Sequence, residues 1–308
     1  MTAGSTQQPW LKRFSPRTGS GTGSGSGGDA GTGSGTGSGS GTGSGAGSGS
    51  GTGSGAGSGS GGDAAARARI VCLPHAGGAA TAYQGWARHL PPHTELLAVQ
   101  YPGRQDRMAE PCIESMAELA DAVCTALAAL PPLPTAVFGH SMGSLAAYET
   151  VVRLARRAPG SLPVHLFVSG SGAPHRTRKD LPALDDASLI AYTRRQNAAD
   201  TAADQDPYAI PELRELLLPS LRADFALLTA YRPVVPPVAV PVPVTALGGD
   251  RDAGCPVEAL AAWADLTTAG FASRVFPGGH FYLQGREGAV AALVAATLTA
   301  DAARQQTA

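Results

Sequence analysis

The chain carries few of the features that tie a protein to a membrane, a nucleic acid or a disulfide framework. Its 308 residues include only four cysteines, Cys72, Cys112, Cys124 and Cys255. They form no C-x-x-C pair and are too sparse for a disulfide scaffold, so reduced thiols and a cytoplasmic location are expected. Long apolar runs are missing as well. The start, "MTAGSTQQPWLKRF", has no signal-peptide core, and prolines interrupt the most apolar stretch, "VVPPVAVPVPVTAL". Neither a leader nor a membrane partner is therefore expected. Charge is nearly balanced, with 23 Lys and Arg against 24 Asp and Glu, which leaves no basic footprint for nucleic acid. No metal and no organic cofactor are expected.

Glycine is the exception to this scarcity, and it is concentrated. Residues 18–63 are almost wholly Gly, Ser, Thr and Ala. Such a segment has no side chains to build a core and reads as a flexible linker, with ends about 35 to 40 Å apart on average. It divides the chain into an N-terminal arm (1–17), the linker (18–63), one domain (64–303) and a short tail (304–308). The domain is large enough for a substantial core.

Within the domain, short apolar runs alternate with longer stretches of helical periodicity. The expected strands are Arg69–Pro74, Glu95–Gly103, Thr135–His140, His165–Gly170, Val240–Gly249 and Ser273–Gly279. The expected helices are Ile113–Leu130, Ser144–Ala158, Pro256–Leu266 and Glu287–Leu298. This pattern predicts an α/β fold with a mainly parallel sheet covered on both faces. From Arg176 to Arg232 only helical patterns occur. An all-helical insertion there is placed to act as a lid over the sheet's C-terminal edge, where ligands bind in open α/β folds.

The segment "TAVFGHSMGSLAAYE" contains Gly139-His140-Ser141-Met142-Gly143, a G-x-S-x-G pattern. The linker cannot produce this pattern by chance, because its glycines and serines fall on opposite parities. The setting also fits a nucleophile elbow: a strand stops, a strained turn presents the serine, and a helix starts at once. Ser141 would then sit at a helix N-terminus, where partial positive charge favours a developing anion.

A serine hydroxyl needs a base, and the base needs an orienting acid. His280, in "FPGGHFYL" after the last strand, is the best placed of the seven histidines. His140 neighbours Ser141 and should point away from it, and His89 and His93 lie in a Pro-rich connection. Two acids end the Val240 strand in "TALGGDRD". Asp252 has the G-x-x-D placement and is the expected partner, with Asp250 the alternative or a loop hydrogen-bonder. An oxyanion hole needs two backbone donors. Met142 N–H is one, and Ala76 N–H, in the glycine-bearing loop "LPHAGGAA", is the other.

Together, "LPHAGGAA", "VQYPGRQDR", "FGHSMGSLAAYE", "LPSLRADFALLTAYR", "GGDRD" and "FPGGHFYL" resemble the type II thioesterases. These are stand-alone α/β-hydrolases that accompany modular polyketide and nonribosomal peptide synthases. The resemblance covers nearly everything after Arg67. It implies hydrolysis of acyl groups from the phosphopantetheine thiol of an acyl- or peptidyl-carrier protein, clearing stalled or mis-primed units through a serine acyl-enzyme. It also implies a triad of Ser141, Asp252 and His280, an oxyanion hole of Ala76 and Met142, a helical lid over 176–232, and action as a monomer. The residues leave open a generic carboxylesterase and a non-catalytic docking module. "WLKRF", Trp10 to Phe14, resembles the family's N-terminal segment but is separated from the domain by the linker, so its docking onto the domain is an expectation to be met or refused. Arg176, Arg178, Lys179, Arg194 and Arg195 are candidates for a basic rim facing an acidic carrier protein.

Overall fold

A computed structural model of the chain describes residues 9–15, 66–176, 180–198 and 206–307. These all belong to one compact unit. The expected linker lies outside the described residues, as do Arg178 and Lys179.

Seven strands form one sheet: β1 (Leu11–Phe14), β2 (Ala68–Leu73), β3 (Thr94–Val99), β4 (Thr135–His140), β5 (His165–Ser169), β6 (Val244–Gly249) and β7 (Phe271–Phe276), in the order β1-β3-β2-β4-β5-β6-β7. Every pairing is parallel except β1 with β3. The helices are α1 (Met116–Ala128), α2 (Met142–Arg157), α3 (Asp186–Asn197), α4 (Pro211–Ala230), α5 (Val257–Leu260) and α6 (Glu287–Thr307).

The inner strands are buried on both faces because their apolar side chains alternate between two cores. Val71, Leu73, Val137, Leu166 and Val168 face α1 and α2, with Leu145, Val151, Leu119 and Val123 packed on them. Ile70, Cys72, Ala136, Phe138 and Phe167 point the other way, onto Tyr83, Trp86 and the Val290, Val294 and Leu298 stripe of α6. Ser115 caps α1, its hydroxyl accepting the Glu118 N–H at 3.1 Å, the arrangement that the Ser-x-x-Glu spacing favours.

The structure revises several expected boundaries. The arm is not a separate unit. "LKRF" is strand β1, registered Leu11 to Val99 and Phe14 to Leu96, with Leu11 buried in the core. The guanidinium of Arg107 lies 4.4 Å above the Trp10 ring, a cation–π contact. Arg13 pairs with Glu95 at 2.5 Å, and Lys12 pairs with Asp106. The expected tail is also not a tail: α6 runs on to Thr307, through the alanine-rich "TADAARQQT", which favours helix. Strand β6 starts at Val244 instead of Val240, because Pro241 and Pro243 cannot donate to a ladder, and Val240 keeps only a bridge to Thr267. The expected helix over Pro256–Leu266 is the short α5 followed by a 3-10 turn. Among the described residues no helix is long and apolar enough to cross a membrane.

Candidate active site

Ser141 stands where β4 ends and α2 begins, with φ 55° and ψ −112°. A non-glycine residue seldom holds positive φ, and such strain persists only where neighbours enforce it. Here several do. The Ser141 N–H donates to Ser169 O at 2.7 Å. The Ser144 hydroxyl donates toward Gly139 O and Ser169 O at 2.9 Å and accepts the Ser169 N–H at the same distance. The flanking glycines are required by space. A Cβ on Gly139 would lie 2.1 Å from Gly143 O, and one on Gly143 would lie 2.1 Å from Leu73 O. The elbow is thus pressed against the end of β2, from which the "PHAGG" loop departs.

Asp252 and His280 approach from the ends of β6 and β7, beyond the intervening β5. The Nδ1 of His280 is 2.8 Å from Asp252 Oδ2, and both residues are buried. The other carboxylate oxygen accepts the N–H groups of Gly254 at 2.8 Å and Cys255 at 3.1 Å. Asp252 is therefore placed to accept from Nδ1–H of His280, an arrangement that in the neutral imidazole leaves Nε2 as the acceptor. Asp250 turns elsewhere. Its Oδ1 accepts the Gly278 N–H at 2.8 Å and lies 3.6 Å from Arg251, the loop role that sequence left as its alternative.

Among the described residues the N–H groups of Ala76 and Met142 have no hydrogen-bond acceptor, whereas those of Gly77 and Ser144 do. The Gly77 N–H donates to Asp224 at 2.7 Å, and the Ser144 N–H to Ser141 O at 3.1 Å. Ser141, His280 and Ala76 line one cavity of about 40 Å³, walled by His75 and Phe281 from the loops and by Tyr192, Leu221, Phe225 and Leu228 from α3 and α4. The helical insertion thus covers the serine with mostly apolar side chains, and the expectation of a helical segment over the sheet's C-terminal edge is met.

Three features escaped sequence reasoning. His140 does not simply turn away. Its Nδ1 is 2.9 Å from the Ser169 hydroxyl, which is 2.6 Å from the Tyr282 hydroxyl, and its ring centroid lies 5.2 Å from that of His280. His75 packs edge-on against Phe281 at 4.8 Å, and its pKa is lowered to about 3 by burial, with His280 and Arg104 adding repulsion. The third is a buried ion pair, Arg104 with Asp224. The rim arginines are less available than sequence suggested. Arg176 pairs with Asp265 at 3.3 Å, Arg194 pairs with Asp206 at 2.8 Å, and Arg195 lies over the Tyr192 ring.

A serine on a strained strand-to-helix turn, an Asp–His pair on later strand ends and a mainly parallel seven-stranded sheet define an α/β-hydrolase. Comparison with known proteins narrows the class. The family model for the Thioesterase domain matches residues 68–298, and the chain belongs to that family; it is a hydrolase acting on thioesters. It is 43% identical over 220 residues to Thioesterase PikA5 of Streptomyces venezuelae, covering 70% of this chain and 75% of that one. It is 35% identical over 223 residues to the gramicidin S biosynthesis protein GrsT of Aneurinibacillus migulanus, covering 72% and 85%. Among solved structures it is similar to the type II thioesterase BorB from the borrelidin biosynthetic cluster, with TM-score 0.68, 36% identity, and 75% and 92% of the two chains covered.

Proposed function

We propose that the protein releases acyl groups from the phosphopantetheine arm of acyl- or peptidyl-carrier proteins, as an editing thioesterase of polyketide or nonribosomal peptide assembly, with Ser141 as nucleophile. The observation that carries the reading is the 2.8 Å Asp252–His280 contact beside a positive-φ serine in one apolar-walled cavity. His280 Nε2 takes the Ser141 proton as Oγ attacks the thioester carbonyl. The Ala76 and Met142 N–H groups receive the oxyanion, helped by the N-terminus of α2. The C–S bond breaks, His280 returns the proton to the departing pantetheine thiol, and Ser141 is left acylated. Water, deprotonated by His280, attacks the ester and frees the acid and Ser141. Asp252 holds the imidazole in the required tautomer and balances its charge while it is protonated. Helices α3 and α4 form the lid that covers the acyl group, and the enzyme works as a monomer in the cytoplasm.

The test compares acyl-carrier protein with the same acyl group on a small ester, using wild type and Ser141→Ala. Wild type should prefer the carrier substrate and accumulate acyl-enzyme at Ser141, and the variant should fold and lose essentially all turnover. Equal rates on both substrates would favour a generic carboxylesterase. Turnover retained by Ser141→Ala would remove the nucleophile assignment, and failure of wild type to react with a fluorophosphonate would favour a docking module.

A further inference from the structure

Asp224 of α4 and Arg104, just after β3, are 120 residues apart and both almost fully buried. They meet as a two-pronged pair, Nη1 to Oδ2 at 2.6 Å and Nη2 to Oδ1 at 2.8 Å. Burial of such a pair contributes little net stability, since desolvation consumes most of the attraction. Its partners point to another use. Asp224 Oδ2 also accepts the Gly77 N–H at 2.7 Å, and Arg104 Nη1 also donates to Gly78 O at 3.1 Å. The pair therefore grips the peptide units immediately after Ala76.

The same loop is held on both sides by the segment that carries Arg104. The Tyr101 hydroxyl donates to Pro74 O at 3.0 Å, and Gln100 Oε1 accepts the Ala80 N–H at 3.0 Å while its amide donates to Arg104 O at 3.2 Å. Gly77 has φ 73°, and a Cβ there would lie 2.7 Å from Leu221 Cδ1 of α4. The loop is thus pressed between α4 and the β3 connection. With the Gly77 N–H occupied by Asp224, Ala76 is left with an unpaired N–H beside Ser141. Burial works against the Arg104 charge, but the hydrogen bonds and attraction from Asp224 outweigh it, so the guanidinium is held in its charged form.

We propose that Arg104 and Asp224 are positioning residues for the oxyanion hole, fixing the Ala76 N–H by gripping Gly77 and Gly78 and so making a helix over the site part of its catalytic geometry. The proposal rests on the reading of Ser141, Ala76 and Met142 given above. A donor displaced by a fraction of an ångström costs rate without costing substrate affinity, because the oxyanion forms only in the transition state.

The experiment measures kcat, KM, urea stability and the affinity of an alkylboronic acid that adds to the serine, for wild type, Asp224→Asn, Asp224→Ala and Arg104→Met. Complete loss of an oxyanion donor costs about 100- to 1000-fold in rate, so a displaced one is expected to cost about 10- to 100-fold in kcat. KM should stay within about threefold, and boronate affinity should fall by the same factor as kcat. Asp224→Asn keeps the side-chain shape and an acceptor for Gly77, so it should fold and show the smaller loss. If Asp224→Ala does not fold, Asp224→Asn alone decides. Wild-type kcat in a folded, destabilised Asp224→Asn would reduce the pair to a structural tie and overturn the proposal. A raised KM with unchanged kcat and boronate affinity would overturn it too, since α4 would then act only as a wall of the binding cavity. Failure of wild type itself to be labelled at Ser141 would instead overturn the underlying assignment of the nucleophile.

Discussion

Shortening the connection between Phe14 and Ala68 should stabilise the protein by an amount the sheet itself allows one to work out. Phe14 is registered with Leu96 on one side of β3, and Ile70 with the same residue on the other. Because β1 is antiparallel to β3 and β2 is parallel to it, β1 leaves the sheet at the end where β2 enters. The gap is two strand spacings, about 10 Å. Residues 15–67, fifty-three of them, cross it. Deleting residues 20–59 leaves thirteen, which reach about 40 Å when extended and span the gap with ease. That is two halvings of the loop at about 0.6 kcal/mol each, or about 1.2 kcal/mol of recovered closure entropy. For a domain of this size the melting temperature should rise by about 2 to 5 °C. Urea unfolding should show a higher midpoint with unchanged slope, and activity on a small thioester should be retained. A companion variant, Leu11→Ala, should lower the unfolding free energy by about 2 kcal/mol through loss of core contacts, and the midpoint with it. An unmoved midpoint in the shortened chain, with a lowered one in Leu11→Ala, would refute the entropic argument. No change in either would mean that β1 does not unfold with the domain.

The remaining predictions concern the site. Asp252→Asn should lower kcat by about 1000- to 10,000-fold by losing the tautomer control of His280, while Asp250→Asn, which keeps an acceptor for the Gly278 N–H, should stay within about twofold; equal losses in steady-state assays would return the acid to Asp250. His75 gives a stability test against pH. Its folded pKa is about 3, whereas the unfolded imidazole titrates near 6.5, so its contribution is complete above pH 6.5 and drains as pH falls below that. Wild type should lose about 1 kcal/mol between pH 7.5 and 5.5 from this group, partial exposure of the ring trimming the full value. His75→Gln should lack that slope in urea unfolding, and identical slopes would place the acid sensitivity elsewhere.

The site was more legible in the sequence than its supports. The elbow, base and acid follow from local patterns, a glycine spacing and two strand ends, and they come in a fixed order. Between Asp250 and Asp252 the G-x-x-D placement favours Asp252, and the structure adds that Asp252 contacts His280 while Asp250 accepts the Gly278 N–H. The Arg104–Asp224 pair joins side chains 120 residues apart, and in "RADFALL" a single acid at helical spacing reads as an exposed face. Strand β1 is four residues long and pairs with a strand more than eighty residues away, so no periodicity announces it, and only the likeness of "WLKRF" to the family's N-terminal segment points to its docking. The overlong expected β6 came from counting valines through Pro241 and Pro243, where apolar composition persists but ladder hydrogen bonds cannot.

Strand β1 also decides how the sheet ends. Without it the outermost strand would be β3, whose "LLAV" would offer a row of unpaired backbone groups flanked by apolar side chains. Such an edge is a template for joining another molecule's strand. The strand that takes its place is only four residues long and presents Lys12 and Arg13, two of the devices by which natural sheets refuse a further partner. A chain deprived of residues 1–16 should therefore stay in solution less well at high concentration than the intact one, through edge-to-edge association that begins at Leu96 to Val99.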